Sequence, residues 1–240
     1  MLVAVACVRA WALDYEPLPG SSFQIYAGFD VANINHAGLD AKVGGNAGFR
    51  MLYYLPSAHG TYFTLGLEWL QKGACRKETL DPLGTGEEVE ATFSQQLHYL
   101  SVPIHVGFHY NLNEKVGFFG ELGPYFAVGV GGTSSWRIDK DGQAYRQWED
   151  QCAWNSFQSK DESLSTFDPV RVSYRRWDAG LGFRVGVEYN RHYSLMMGCD
   201  WGLTDIYRQS YRDCYAEVFK ESALPAVKNF NFSLMLGYRF

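Results

Sequence analysis

Asn229-Phe230-Asn231-Phe232-Ser233-Leu234-Met235-Leu236-Gly237-Tyr238-Arg239-Phe240, the C-terminal stretch, alternates without a break. Phe230, Phe232, Leu234, Leu236, Tyr238 and Phe240 form one set, and Asn229, Asn231, Ser233, Met235, Gly237 and Arg239 form the other. Strict period two over this length means a β-strand with one greasy face. Residues 176–189 behave likewise: Trp177, Ala179, Leu181, Phe183, Val185, Val187 and Tyr189 stand against Arg176, Asp178, Gly180, Gly182, Arg184, Gly186 and Glu188. There the second face is charged or glycine.

Working outward, the same period places strands near residues 23–31, 43–55, 61–72, 99–110, 116–130 and 193–201. With the first two this makes about eight. The connections alternate in length: short and turn-like at 56–60, 111–115 and 190–192, long and polar near 71–95, 131–172 and 204–228. Short turns on one side and long loops on the other are the mark of a bacterial outer-membrane barrel. The expected fold is therefore all-β, an eight-stranded antiparallel transmembrane up-and-down β-barrel with short periplasmic turns and long extracellular loops. Both termini fall in the periplasm. No run approaches the roughly 18 consecutive apolar residues of a transmembrane helix, so any membrane crossing is made by strands. The 16% aromatic content and 25 glycines beside 8 prolines suit β structure.

A soluble barrel of the lipocalin type also alternates, so alternation alone does not choose between lipid and water outside. The ends of the apolar stripes do. Only a lipid-facing stripe is bounded by aromatic girdles at the two interfaces. Oriented by loop length, the stripes end on the short-turn side at Tyr53, Tyr110, Tyr189, Tyr193, Tyr238 and Phe240, and on the long-loop side at Trp69, Trp177 and Trp201. Two belts emerge from an orientation fixed without reference to them, and the expected location is the outer membrane.

The other face then lines the lumen, with charges of both signs: Asp30, Arg50, Glu68, Lys72, Glu121, Arg176, Asp178, Arg184, Glu188, Asp200 and Arg239. An eight-stranded barrel is just wide enough for side chains to fill it, so these groups are expected to meet in a hydrogen-bonded ionic network, a plug and not a pore. The alternative is a proton or ion path along the same groups.

Residues 1–12 read as the back half of a signal peptide, an apolar run ending in Ala10-Trp11-Ala12 without a basic start, which leaves 13–240 as one barrel domain. Beyond Cys7, Cys75, Cys152 and Cys214 fall in or beside the long loops and Cys199 inside a strand; a loop disulfide among the three suits an exported protein, and spacing does not fix the pair. No C-x-x-C and no zinc-type His/Cys spacing occur, so no metal or other cofactor is expected. A net charge of -5 at pH 7 removes the attraction to phosphate on which nucleic-acid binding depends.

The segments Gly120-Glu121-Leu122-Gly123-Pro124-Tyr125, Gly182-Phe183-Arg184-Val185-Gly186-Val187-Glu188-Tyr189, Gly202-Leu203-Thr204-Asp205-Ile206 and Leu236-Gly237-Tyr238-Arg239-Phe240 together resemble the PorT-type outer-membrane β-barrel proteins of Bacteroidetes. The resemblance runs through nearly the whole chain in strand order. It implies an eight-stranded outer-membrane barrel of a family whose members mostly have no assigned role, with the founding member tied to a secretion system for surface proteins, and no catalytic residues to carry over. It also implies that Phe240 and the aromatics before it are the signal read by the barrel-assembly machinery.

Some eight-stranded barrels modify lipid with a Ser and His pair on the wall. Ser101 with His105 or His109 shares one strand, but on the lumen set, so packing is the expected role and the chain is expected not to be an enzyme. His98 and His192, near strand ends, are expected at the surface. The loop at 131–172 holds Trp136, Tyr145, Trp148, Trp154 and Phe157 among charges. Exposed aromatics either pack together or bind something. The expected function is structural or interactive: a barrel in outer-membrane lipid that presents loops to an envelope or extracellular protein partner. A narrow channel or transport accessory and a lipid-modifying enzyme are the alternatives.

Overall fold

A computed structural model of the chain describes residues 20–34, 40–56, 58, 60–80, 89–140, 143–150, 157, 174–219 and 226–240. The stretch 1–12 and Cys152 lie outside them. Ser21–Ile34 (β1), Asp40–Tyr54 (β2), Thr61–Leu80 (β3), Val89–Asn111 (β4), Val116–Lys140 (β5), Gln143–Asp150 (β6), Trp177–Tyr189 (β7), Tyr193–Gly202 (β8) and Asn229–Arg239 (β9) are strands, and Gln209–Phe219 is a helix, α1.

Each strand pairs antiparallel with its neighbours in the order β1-β2-β3-β4-β5-β7-β8-β9, and β1 pairs β9 to close the ring. The ring thus has eight strands, as the alternation predicts. Closure leaves no backbone edge facing lipid, which is the condition for strands to cross a bilayer. No described helix is long and apolar enough to cross one.

The ring is inside out relative to a water-soluble fold. Phe29, Val43, Leu122, Trp177 and Leu236 are among the most exposed large apolar side chains, while Asp30, Arg50, Glu68, Glu121 and Arg184 are buried. The C-terminal strand shows the alternation residue by residue, with Asn231, Ser233 and Met235 inside and Phe232, Leu234 and Leu236 outside.

The short turns are built by local chemistry. Asn113 Oδ1 accepts from the amides of Lys115 and Val116 at 2.9 and 2.8 Å, an Asx turn that reverses β4 into β5. Asn190 and Arg191 sit at φ 54° and 62° between β7 and β8, a conformation Asn tolerates and Arg accepts only under constraint from the hairpin.

The long-loop side departs from the sequence expectation. Residues 71–95 are mostly strand: β3 and β4 stay paired out to Leu80 and Val89. β5 likewise runs on to Lys140 and folds back as β6, which pairs with the outer part of β5, and 204–228 contains α1. Leu80 lies about 36 Å of strand beyond Trp69, well clear of the outer belt. The physical reason is that alternating hydrophobicity needs lipid on one face. Above the membrane the outward face meets water, as Lys77 and Thr79 do, so the pattern fades while the hydrogen-bonded ladder continues.

Candidate functional site

The lumen is filled in tiers. At the periplasmic end Arg239 on β9 donates to Glu188 at 2.6 Å and to the Tyr54 hydroxyl at 2.8 Å, and His109 Nε2 lies 3.5 Å from the same carboxylate. In the next tier Arg50 on β2 is paired with Glu121 on β5 and donates to Gln24 Oε1 at 2.6 Å. The Glu121 carboxylate also accepts from Tyr62 at 3.2 Å and lies 3.5 Å from His105 Nδ1. Arg184 reaches Glu68 at 2.6 Å and the Tyr26 hydroxyl at 3.3 Å. Toward the outside, Asp178 gathers Lys72 at 3.1 Å, Thr204 at 2.6 Å and Asn229 at 2.8 Å. The Lys72 ammonium also lies over the rings of Tyr99 and Tyr125 at 5.4 and 4.8 Å.

Charges buried this deeply are tolerable only when paired and hydrogen-bonded. Arg50, Lys72, Arg184 and Arg239 satisfy that against Glu121, Asp178, Glu68 and Glu188. Among the described residues no cation lies within ion-pair distance of Asp30 or Asp200: Asp30 accepts from Asn46 at 2.5 Å, and its Oδ2 has no hydrogen-bond partner there. Asp200 leans with His105 toward Gly182, where a Cβ would lie 2.9 Å from Asp200 Oδ1 and 2.7 Å from His105 Nε2. The glycine makes the room those side chains use.

Arg176 departs from the expected lumen set. It precedes β7, is half-buried at the outer mouth, and donates to the Phe157 carbonyl oxygen at 3.2 Å. The period-two reading carried one residue past Trp177, the first of the strand. Ser101, His105 and His109 are all buried on the lumen side of β4. His98 and His192, in contrast, stack on girdle rings: His98 on Trp69 at 5.6 Å and His192 on Tyr238 at 5.6 Å. Of the girdle residues, Tyr53, Tyr189, Tyr193, Tyr238, Trp69, Trp177 and Trp201 are exposed on the outer wall, and Tyr110 is half-exposed; Phe240 follows β9.

Above the ionic tiers the mouth is capped by apolar packing. Phe157 meets Tyr99 edge-on at 5.8 Å and Tyr174 at 6.3 Å, and the cluster takes in Leu70, Leu97, Ile206 and Val227. Burial raises the Tyr174 hydroxyl well above its ordinary range, so it stays a neutral donor to Gln95 at 2.5 Å. Arg208 braces the cap by donating to the carbonyl oxygens of Phe157 at 2.9 Å and Tyr174 at 3.1 Å. Beside this brace opens a cavity of about 540 Å³ lined by Phe157, Arg175, Arg176, Trp177, Arg208, Gln209 and Ser210. Sequence reading missed the cavity and α1. The signal was there in Tyr207, Tyr211, Cys214 and Tyr215, a helical spacing inside a stretch read as loop.

Cys75 and Cys199 are unbridged thiols and Cys214 is buried on α1. Cys152, the third loop cysteine, lies outside the described residues. Of the loop aromatics, Phe157 is in the cap, while the side chains of Trp136, Tyr145, Trp148 and Trp154 lie outside the described residues.

Residues 19–208 match the family model for the outer membrane protein beta-barrel domain. The chain belongs to this family. It is an outer-membrane β-barrel protein. Among solved structures it is similar to Ail, the attachment invasion locus protein of Yersinia pestis, solved with the heparin analogue sucrose octasulfate. That similarity is at 15% identity over 92% of this chain and 100% of that one, with a TM-score of 0.37. The outer membrane protein OprG of Pseudomonas aeruginosa gives 15% identity over 95% and 99% with a TM-score of 0.39. The N-terminal β-barrel domain of Pseudomonas aeruginosa OprF gives 12% over 91% and 97% with 0.29. No protein of curated function matches the chain.

Proposed function

We propose that this barrel is a non-conducting structural or interaction protein of the cell envelope, whose outer superstructure is a platform for a partner. The observation that carries this is the filled lumen, where Arg239–Glu188, Arg50–Glu121, Arg184–Glu68 and Lys72–Asp178 close successive levels under an apolar cap. A plug of paired charges leaves no continuous water column, so function moves to the surface. The ladder of β3, β4, β5 and β6 above the outer belt supplies that surface, and its partner is an envelope or extracellular protein.

The resemblance to the PorT type supports placing this platform beside a secretion system. Phe240, exposed at the end of β9, is the residue offered to the barrel-assembly machinery. No enzymatic role is proposed, because the Ser and His residues on β4 face the lumen and not lipid. A narrow cation path is the second reading, favoured by Asp30 and Asp200, which have no cation within ion-pair distance among the described residues.

One measurement separates the two. The full chain, refolded into planar bilayers, is expected to give no discrete conductance steps. Steps that disappear in Asp30→Asn and Asp200→Asn would replace the platform by the cation path.

A further inference from the structure

We propose that the part of the lumen between Asp30 on β1 and Asp200 on β8 is a binding site for one divalent hard cation, Ca²⁺ by the chemistry of its ligands. The ion is part of the same filling as the ion pairs, so the proposal rests on the filled-lumen reading, but its test does not depend on conductance.

The buried lumen is unbalanced in charge. Among the described residues six buried carboxylates stand against four buried arginine and lysine side chains. The four cations pair with Glu121, Asp178, Glu68 and Glu188, and Asp30 and Asp200 are left over. Lys72 and Arg184 act on Asp200 only from beyond ion-pair distance, and both are committed to other carboxylates. The buried histidines lie on those other carboxylates too, His105 on Glu121 and His109 on Glu188, each at 3.5 Å. His105 Nε2 borders Asp200 beside Gly182 without closing an ion pair. Asp30 and Asp200 are near enough to act on each other. Two buried carboxylates that repel each other need a counter-charge, and one divalent ion matches both.

The groups around them add oxygen and no charge. Asn46 on β2, Asp30 on β1, Asn231 on β9 and Asp200 on β8 come from consecutive strands round the wall, and Asn231 is opposite Asp200 in register. Asn46 Nδ2 donates to Asp30 Oδ1 at 2.5 Å, and the Asn231 side chain donates to the same carboxylate. A carboxylate only accepts, so each carboxamide gives Asp30 its nitrogen and keeps its oxygen free. Asp30 Oδ2, Asn46 Oδ1 and Asn231 Oδ1 therefore have no donor, on residues no more than 3% exposed. Buried acceptors without a partner are rare, and three of them gather at one carboxylate. No cluster of three His, Cys, Asp or Glu side chains fit to hold a metal occurs among the described residues, so nitrogen and sulfur ligands for a transition metal are not on offer. Two carboxylates with two carboxamide oxygens suit a hard cation. Ca²⁺ accepts irregular all-oxygen sets, whereas Mg²⁺ demands a near-ideal octahedron.

The test refolds the full chain into neutral maltoside micelles with Ca²⁺ or with EDTA and passes it through gel filtration in metal-free buffer. Metal content is read by inductively coupled plasma mass spectrometry, and stability by the temperature at which the unboiled gel band is lost. The parent refolded with Ca²⁺ is expected to retain about one ion per barrel, because ligands this deep release it only when the barrel opens. Asp30→Asn and Asp200→Asn are each expected to lower the retained calcium at least about tenfold. Glu114→Gln, exposed in a short turn, leaves it unchanged. In EDTA either Asn variant is expected to be as stable as the parent or more so, since the repulsion between the aspartates is gone; Ca²⁺ then stabilises the parent and not the variants. A parent that retains no calcium overturns the proposal without any variant, and Asn variants more stable than that parent assign the excess charge to a bound proton. Calcium that survives both substitutions overturns it as well and moves the metal to the outer segments. Calcium retained by a barrel that conducts leaves the site standing and removes the plug, and a silent barrel without calcium does the reverse.

Discussion

Arg184 on β7 and Glu68 on β3 meet inside the barrel at 2.6 Å, from strands that are not neighbours in the sheet. The pair is a strut across the lumen. Both groups are buried, so removing one strands the other in a medium that cannot solvate it.

Glu68→Ala is therefore expected to destabilise the barrel by about 3–5 kcal/mol, whereas Glu68→Met/Arg184→Met recovers most of the loss because neither charge is then orphaned. Urea unfolding in phospholipid vesicles, read by the gel mobility of unboiled protein, measures both. A Glu68→Ala barrel as stable as the parent is incompatible with the strut.

Lipid contact is tested on β9. Leu234 lies outward between Phe232 and Leu236, near the middle of the apolar stripe, and Leu234→Arg is expected to cost roughly 2–4 kcal/mol. Leu112 is equally exposed but sits in a short turn, where Leu112→Arg is expected to cost under about 0.5 kcal/mol. Similar losses at the two positions would remove the membrane from the explanation.

The cap is expected to loosen without the barrel. Phe157→Ala deletes a fully buried ring and is expected to cost about 3–5 kcal/mol of local stability at the mouth. Protease treatment of intact cells should then cut the outer segments faster while heat modifiability persists. Loss of heat modifiability as well would mean that the cap and the ring fold as one unit.

Orientation has its own chemical readout. Cys75 lies on the part of β3 beyond Trp69, and Cys199 lies on the membrane part of β8 between Met197 and Trp201. In single-cysteine variants a membrane-impermeant maleimide is expected to label Cys75 on intact cells and to leave Cys199 untouched. Labelling of Cys75 only after lysis would invert the barrel.

How far the residues alone reveal this molecule depends on where lipid touches them. Between the belts, each step along β7 or β9 exchanges lipid for the crowded lumen, and Phe183 and Arg184 differ accordingly. That contrast makes the ring legible. Beyond Trp69 the outward face of the ladder meets water instead of lipid, as Lys77 and Thr79 do, so the apolar alternation is lost and the segment passes for loop. The charged residues of the lumen are legible as a set, but their partners are not. Arg184 with Glu68 and Arg50 with Glu121 join strands by curvature, which no alternation encodes. The cavity is harder still, since Arg175 and Arg208 are brought together by the return of the chain above the mouth.

Closing the ring has a consequence in time. β1 and β9 are the most distant strands in sequence, yet Gln24 to Ile34 pair with Asn229 to Arg239 along their whole length. That seam can zip only after everything between has been made, so nascent chains carry two bare strand edges until the last residues arrive. The seam is also unforgiving, because a Cβ on Gly28 would lie 2.0 Å from the Leu234 carbonyl oxygen. Gly28→Val is therefore expected to leave barrels that begin assembly and stall open, seen as unboiled protein that migrates at its boiled position. The vulnerable moment in this protein's life is the one before its ends meet.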